Sequence, residues 1–255
     1  MISGQVINSI IKYANLSKDD TVLEIGPGIG FVTEKAAPEV KRLIAVEIDK
    51  DAIDVLSDLP FNNIDIINKD ILQTDFSLLV EERVKIIANI PYYITSPILV
   101  HLLGEIDEQT NKNRNLISEI ILMVQYEVAK RIVATNESHS KDYGLLSILC
   151  NFWAETEVLE KVPASAFYPK PKVDSALVRL RVRETPLFKL DDPKKFRRVI
   201  KGAFAMRRKT LVNSLSSSGF SKERIKSALM ELGFSENIRA ENLSIEDFKN
   251  LAQKL

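Results

Sequence analysis

Cysteine, histidine and tryptophan are almost missing from this 255-residue chain, which holds one, two and one of them respectively. A lone thiol, Cys150, excludes an internal disulfide and fits a reducing compartment. One cysteine and two histidines without ligand spacing leave no zinc site, and no metal is expected. No run of about 18 apolar residues is present, which argues against a membrane-spanning helix. The opening MISGQVINSIIKYANLSKDD lacks a basic stretch ahead of an unbroken apolar one, so it does not read as a secretory signal. Together these absences lead to the expectation of a cytoplasmic protein. Net charge is missing too, because 35 Lys+Arg cancel 35 Asp+Glu. What remains, 45% hydrophobic and 27% charged, is the composition of an ordinary globular chain.

The cancellation hides a segregation. From Arg181 to Leu255 there are 17 basic and 9 acidic residues, leaving 18 basic and 26 acidic in the first 180. Between Pro193 and Leu211 lie Lys194, Lys195, Arg197, Arg198, Lys201, Arg207, Arg208 and Lys209, with no acid among them. Charge runs are commonly solvated helix faces, but an uncompensated one also suits contact with RNA phosphates.

Along the first half, short β-branched runs alternate with helical stretches. TVLEI (21–25), LIAVEI (43–48), DIIN (65–68), KIIAN (85–89) and EIILMV (119–124) read as strands buried on both faces of a parallel sheet. Helices are expected over 31–37, 50–58, 96–103 and 126–134. Five strand-and-crossover repeats make a doubly wound α/β sheet the leading fold class. Residues 145–162 are apolar and read as strand-rich. They are followed by the loop PASAFYPKPK and by VDSALVRLRVR, whose Val173, Ala176, Val178, Leu180 and Val182 alternate with Arg179, Arg181 and Arg183. That pair suggests an antiparallel hairpin closing the sheet edge. Beyond Pro186 the periodicity is helical, including FRRVIKGAFAMRRKTLVNSL and KERIKSALMELGF, so a small helical domain is expected over 184–255 and the sheet domain over 1–183.

EIGPGIG (24–30) joins the first strand to the first helix, and its glycines permit a tight turn that a ligand can approach closely. Alone it is a weak signal, shared by nucleotide and flavin binders and by purely structural turns. Glu47 ends the second strand, where an acid can meet ribose hydroxyls, and Asp70 ends the third, where a carboxylate can accept from an adenine amino group. Each could instead be a solvated strand end. The spacing GxGxG rather than GxGxxG favours an adenosyl ligand without a pyrophosphate.

NIPYYI (89–94) ends the fourth strand, facing the same pocket. An exocyclic amine of adenine is a poor nucleophile because its lone pair is delocalised into the ring. Accepting hydrogen bonds from both of its N–H groups draws the nitrogen towards tetrahedral geometry. The Asn89 side-chain carbonyl can be one acceptor and the backbone carbonyl of Ile90 or Pro91 the other. Pro91 stiffens the loop, and Tyr92 can stack on the base, worth on the order of 1–3 kcal/mol. No general base is required before transfer, since the amine turns acidic only after gaining the methyl. The plainer alternative is a proline-terminated strand with a packing tyrosine.

With these residues assembled, the chain resembles the ribosomal RNA adenine dimethyltransferases, specifically the KsgA-type small-subunit enzymes. EIGPGIG, VEID, NKDIL, NIPYYITSPI, VQYEVAKRI, SKDYGLLS, PASAFYPKPKVDSALVRL, AFAMRRKTLVNSL and IRAENLSIEDF all match family motifs, from about Val6 to Leu251. The resemblance implies a Rossmann-like class I methyltransferase sheet with a small C-terminal helical domain. It implies S-adenosylmethionine as cofactor, held by Gly26, Gly28, Glu47, Ile48, Asp70, Ile71 and Asn89, with Asn89, Pro91 and Tyr92 around the target amine. Phe167 matches an aromatic that covers the other face of the adenine, though it could equally be a core residue under the hairpin loop. The implied reaction dimethylates N6 of two adjacent adenosines in small-subunit ribosomal RNA during ribosome assembly, by a monomer acting on the immature subunit. Methyltransferases of the resistance type, acting on large-subunit RNA, share NIPY and FxPxPKV; AFAMRRKTLVNSL favours the small-subunit branch. A mainly non-catalytic assembly factor is the reading from another class. One departure stands out: the family's lysine-rich segment and GQNFL-like motif, which close over the cofactor, have no counterpart ahead of MISGQVIN. Weaker cofactor retention is expected from that, with the sheet still folding.

Overall fold

The computed structural model describes residues 3–138 and 140–255, with Tyr92 described by its backbone only. The chain forms two compact units. The first comprises the residues up to Gly104, Thr110–Lys130 and Ala154–Glu184; the second comprises Glu105–Gln109, Arg131–Trp153 and Thr185–Leu255. The expected contiguous division near residue 184 therefore recurs as one crossing of the chain, but the second unit also draws in two earlier segments.

The first unit is built on a seven-stranded sheet: β1 (Thr21–Ile25), β2 (Arg42–Glu47), β3 (Ile64–Asn68), β4 (Val84–Asn89), β5 (Ile117–Gln125), β6 (Ala154–Val162) and β7 (Ser175–Val182), in the order β3-β2-β1-β4-β5-β7-β6. The first five are parallel, and β7 pairs antiparallel with both β5 and β6. β1 is buried along its whole length, and Leu23, Leu43, Ile44 and Ile86 have no accessible surface. Each such side chain stabilises the fold by about 1.5–3 kcal/mol relative to exposure. β3 departs from the expectation of strands buried on both faces. It is the sheet edge, and no residue of it is fully buried.

The hairpin of β6 and β7 is present as expected, and its outward arginines are committed to the sheet. Arg179 lies 3.2 Å from the Glu119 carboxylate on β5 and 2.8 Å from that of Glu157 on β6, and it donates to the Tyr13 carbonyl at 2.7 Å. Arg183 pairs with Glu155 at 2.8 Å. Charges of opposite sign facing each other across strands pin the register.

Helices α1 (Gly4–Ala14), α2 (Thr33–Ala36), α3 (Lys50–Ser57), α4 (Thr95–Leu103) and α5 (Lys112–Asn115) belong to this unit, and α6 (Tyr126–Val133) carries the chain into the second. α1 starts at Ser3, whose side chain accepts from Val6 N–H, and stops at Asn15 with φ 43°. Its Val6, Ile7, Ile10 and Ala14 join a core cluster with Val22, Leu43 and Ile87. Ser3 N–H also donates to the Ala166 carbonyl at 2.8 Å, tying the start of α1 to the β6–β7 connection.

The second unit holds α7 (Leu145–Trp153), α8 (Pro193–Phe204), α9 (Leu211–Ser217), α10 (Lys222–Glu231) and α11 (Ile245–Lys254). The strand-rich reading of 145–162 is thus half wrong, since its first nine residues are helical. A continuous apolar run does not distinguish a buried strand from a helix buried nearly all round. Here Ser147, Ile148, Leu149, Cys150, Phe152 and Trp153 are all buried. Phe152 packs against Phe188 and Phe196 with ring centroids 5.5 and 6.0 Å apart. The FRRVIKGAFAMRRKTLVNSL stretch is two helices rather than one. Thr210 caps α9 by accepting from Asn213 N–H, and the Ser214 hydroxyl bonds the Gly202 carbonyl at 2.7 Å across the break.

Gly30 closes the first loop with φ +89°, and a Cβ there would lie 2.8 Å from Leu56 Cδ2 and 3.1 Å from Leu59 Cδ1. Gly30→Ala is expected to destabilise the chain by about 1–3 kcal/mol, because an L side chain is strained at that φ. Thermal unfolding followed by circular dichroism checks this, the expected outcome being a lower midpoint with an unchanged far-ultraviolet spectrum.

Candidate active site

At the carboxyl ends of β1, β2 and β4 the loops converge because the strands are parallel and in register. Gly26 (φ +67°) donates its N–H to the Val46 carbonyl at 3.0 Å. A Cβ on Gly26 would fall 3.7 Å from Ile90 Cγ2 and 3.9 Å from the Asn89 carbonyl oxygen, so the end of β4 lies directly against the glycine loop. Gly28 (φ +56°) would place its Cβ in open space, with nothing within 4 Å, and this leaves the loop approachable.

Glu47, 8% exposed, ends β2 and ties this edge together. Its Oε2 accepts from Gly28 N–H at 2.9 Å, and its Oε1 accepts from Ile48 N–H at 2.8 Å and Asp49 N–H at 3.0 Å. Its own carbonyl accepts from Lys69 N–H and from the Asn68 side-chain amide, which brings in the end of β3. Asp70 sits two residues past β3 rather than at its last position. Its Oδ1 accepts from Leu72 N–H at 2.9 Å, and among the described residues Oδ2 has no partner. Ile48 is 67% exposed beside Glu47, while Ile71, next to Asp70, is buried. An exposed isoleucine next to a carboxylate at a strand end suits the face of a flat heterocycle.

Asn89 closes β4, half-buried, and among the described residues no partner takes its side-chain amide. The Pro91 carbonyl accepts from Ile94 N–H at 3.2 Å, closing the turn that follows. Of the two backbone acceptors expected here, Pro91 already accepts one bond, and among the described residues no donor meets the Ile90 carbonyl. Pro91 is exposed; the side chain of Tyr92 lies outside the described residues. Phe167 is half-buried, and its covered part packs on the core cluster that contains α1.

The basic run is not uncompensated in space. In the second unit Arg197 pairs with Glu105 at 2.5 Å and Asp107 at 3.2 Å, Lys201 lies 3.8 Å from Glu105, and Arg207 donates to the Tyr143 carbonyl at 2.7 Å. These acids lie some 90 residues upstream of their partners and could not be read from the run itself.

One residue of the edge escaped the sequence reading. Glu24, fully buried on β1, accepts from the Thr33 hydroxyl at 2.7 Å. Burial, reinforced by the Glu47 charge and opposed by the Thr33 bond, pushes its carboxyl up to about 7. An acid two positions before Gly26 in an otherwise apolar strand was the available signal. Because the folded value exceeds the ordinary 4.5, the folded chain retains a proton that the unfolded chain releases. The stability contributed by this group is full below pH 4.5 and is lost progressively as pH rises to about 7. Relative to Glu24→Gln, the parent chain should lose about 3 kcal/mol across that window, at ~1.4 kcal/mol per pH unit. Denaturant unfolding of both at several pH values measures the difference, and a difference independent of pH would contradict the assignment.

Comparison with known proteins places this geometry. A family model described as ribosomal RNA adenine dimethylase matches residues 1–255. A ribosomal RNA small subunit methyltransferase A from Caldanaerobacter subterraneus subsp. tengcongensis is 39% identical, over 98% of this chain and 92% of that protein. A protein of the same name from Moorella thermoacetica is 38% identical, over 100% and 89%. Among solved structures, a dimethyladenosine transferase from Plasmodium falciparum superposes with a TM-score of 0.78 at 27% identity, covering 98% of this chain and 95% of that one. The 23S rRNA methyltransferase ErmE gives a TM-score of 0.70 at 28% identity, covering 99% and 98%. With its whole length matched, the chain belongs to the ribosomal RNA adenine dimethylase family.

Proposed function

We propose that this chain transfers methyl groups from S-adenosylmethionine to N6 of two adjacent adenosines in small-subunit ribosomal RNA, dimethylating each, during ribosome assembly. The observation that carries the reading is Asn89, an amide without a partner among the described residues, at the end of β4 and against the glycine loop. The relatives at 38–39% identity bear the small-subunit name, which favours that substrate over large-subunit RNA.

The cofactor supplies an electrophilic methyl on a cationic sulfur. The residues present suit it: Glu47 at the end of β2 and Asp70 just past β3 offer carboxylate oxygens, and exposed Ile48 offers an apolar surface next to Glu47. Gly26 and Gly28 let backbone approach the ligand, and Ile71 backs the adenine side. The Glu47 carboxylate gives the edge a negative field that favours a cationic ligand.

Around the target base, the Asn89 Oδ1 accepts one amine N–H and the Ile90 carbonyl accepts the other, since Pro91 is used by its own turn. Two acceptors held in fixed positions stabilise the developing tetrahedral nitrogen, because they are aimed before the reaction begins. Tyr92 stacks on one face of the adenine and Phe167 on the other. After transfer the nitrogen sheds its proton to water, so no histidine is required. Basic residues of the second unit that are not taken up by its own acids hold the RNA backbone, and the enzyme acts as a cytoplasmic monomer on the immature subunit.

Incubating the chain with S-adenosylmethionine and small-subunit RNA or immature subunits, then digesting to nucleosides for mass spectrometry, tests this reading. N6,N6-dimethyladenosine is expected. Asn89→Ala should lower its formation by at least 100-fold, of the size seen when one donor or acceptor aimed at a transition state is removed. Product formed by Asn89→Ala at the parent rate would remove Asn89 from the mechanism. Product on large-subunit RNA alone would move the enzyme to the other branch.

A further inference from the structure

The five basic residues of α8 fall into two classes. Arg197 and Lys201 are paired with Glu105 and Asp107. Lys194, Lys195 and Arg198, on the first half of α8, have no acid within ion-pairing distance among the described residues. Neither has Arg224, which the sequence reading did not single out. These four cations share one cleft of about 560 Å³.

Its construction is specific. The Arg198 guanidinium lies 4.5 Å from the centre of the Phe220 ring, and its Nη2 reaches the Gly219 carbonyl at 3.4 Å. Stacking on the ring restricts the guanidinium plane and leaves its remaining N–H groups at the edge, the arrangement that meets a phosphate. Lys194 stands one turn before Arg198 on the same helix, so both reach the cleft from one face. Arg224 lines the cleft from a second helix, in the first turn of α10, whose cap Ser221 accepts its backbone N–H. The one acid in the wall, Asp192, has an oxygen occupied by Lys195 N–H at 2.9 Å, where it caps α8.

Four cations without acidic partners in one concavity leave a local excess of positive charge that only an anion can balance. We propose that this cleft is a binding site for the phosphodiester backbone of RNA, contacted by Lys194, Lys195, Arg198 and Arg224. Arg197 and Lys201, in the same sequence run, serve the internal structure of the unit instead. Only the choice of RNA as ligand rests on the function proposed above.

The test uses the full chain and a short RNA duplex of arbitrary sequence, with binding followed by fluorescence anisotropy over a salt series. Lys194→Gln with Arg224→Gln, which spares the Arg198–Phe220 stack, should reduce the slope of log affinity against log salt by up to about 0.9 per lost contact, using the B-DNA value. Arg197→Gln with Lys201→Gln should leave that slope as it is and lower the thermal midpoint. An unchanged slope in the first pair, with its thermal midpoint intact, overturns the proposal, as does a slope loss confined to the second pair. Displacement of the duplex by poly-glutamate at equal charge would assign the cleft to an acidic protein and also overturn it. Methyl transfer is measured separately. A parent chain that binds through the cleft but does not methylate small-subunit RNA refutes the proposed reaction and leaves the cleft standing, and the converse pattern refutes the cleft alone.

Discussion

Three backbone N–H groups from two loops converge on the Glu47 carboxylate, and the shape of the sheet's functional edge depends on that convergence. A buried carboxylate survives in a fold only when its lone pairs are met, and charge-assisted bonds to backbone amides do so at little entropic cost. The same bonds fix the glycine loop relative to the turn after β2. Through the Asn68 amide and Lys69 N–H they fix the end of β3 as well. A cofactor that takes over some of these bonds meets a site already in shape, which limits the ordering cost of binding.

The neighbouring acid makes the edge more demanding. Glu24 is buried behind Glu47, and burial with like-charge repulsion holds its proton to about pH 7. Gly26, Asn89 and Ile90 then close the edge on the β4 side by contact. The result is a line of acceptors along strand ends, carboxylate at β2, carboxylate past β3, and amide and carbonyl at β4. A bound adenosyl group and a target amine both present donors. In the second unit the logic is reversed, since part of the positive charge is cancelled by Glu105 and Asp107 and part is gathered around Phe220 without acidic partners among the described residues.

What could be read beforehand was what is local in the chain. The glycine turn, Glu47 at a strand end and the Asn89–Pro91 step are each a few residues long, and strand periodicity alone brought them to one edge. The hairpin of β6 and β7 was legible from the alternation of Val178 and Leu180 with Arg179 and Arg181. Residues 145–153 were not, because a helix buried on nearly all sides has lost the polar stripe that reveals its period. The helix α1 does show its period in Val6, Ile7, Ile10 and Ala14. The fate of Arg197 was illegible for another reason: its partner Glu105 is 92 positions away. The bond accepted by the Pro91 carbonyl is equally illegible in the sequence, for it depends on where the turn closes.

On the function proposed above, the Glu47 carboxylate accepts from the ribose hydroxyls of the cofactor. This central claim is tested most directly by calorimetry of S-adenosylhomocysteine and its 2′,3′-dideoxy analogue binding to the parent chain and to Glu47→Ala. If the claim holds, Glu47→Ala costs about 1.5–3 kcal/mol with the natural ribose, the range for hydrogen bonds to a charged group, and far less with the analogue. Equal losses for both ligands would mean that Glu47 only shapes the loop and does not touch the ribose.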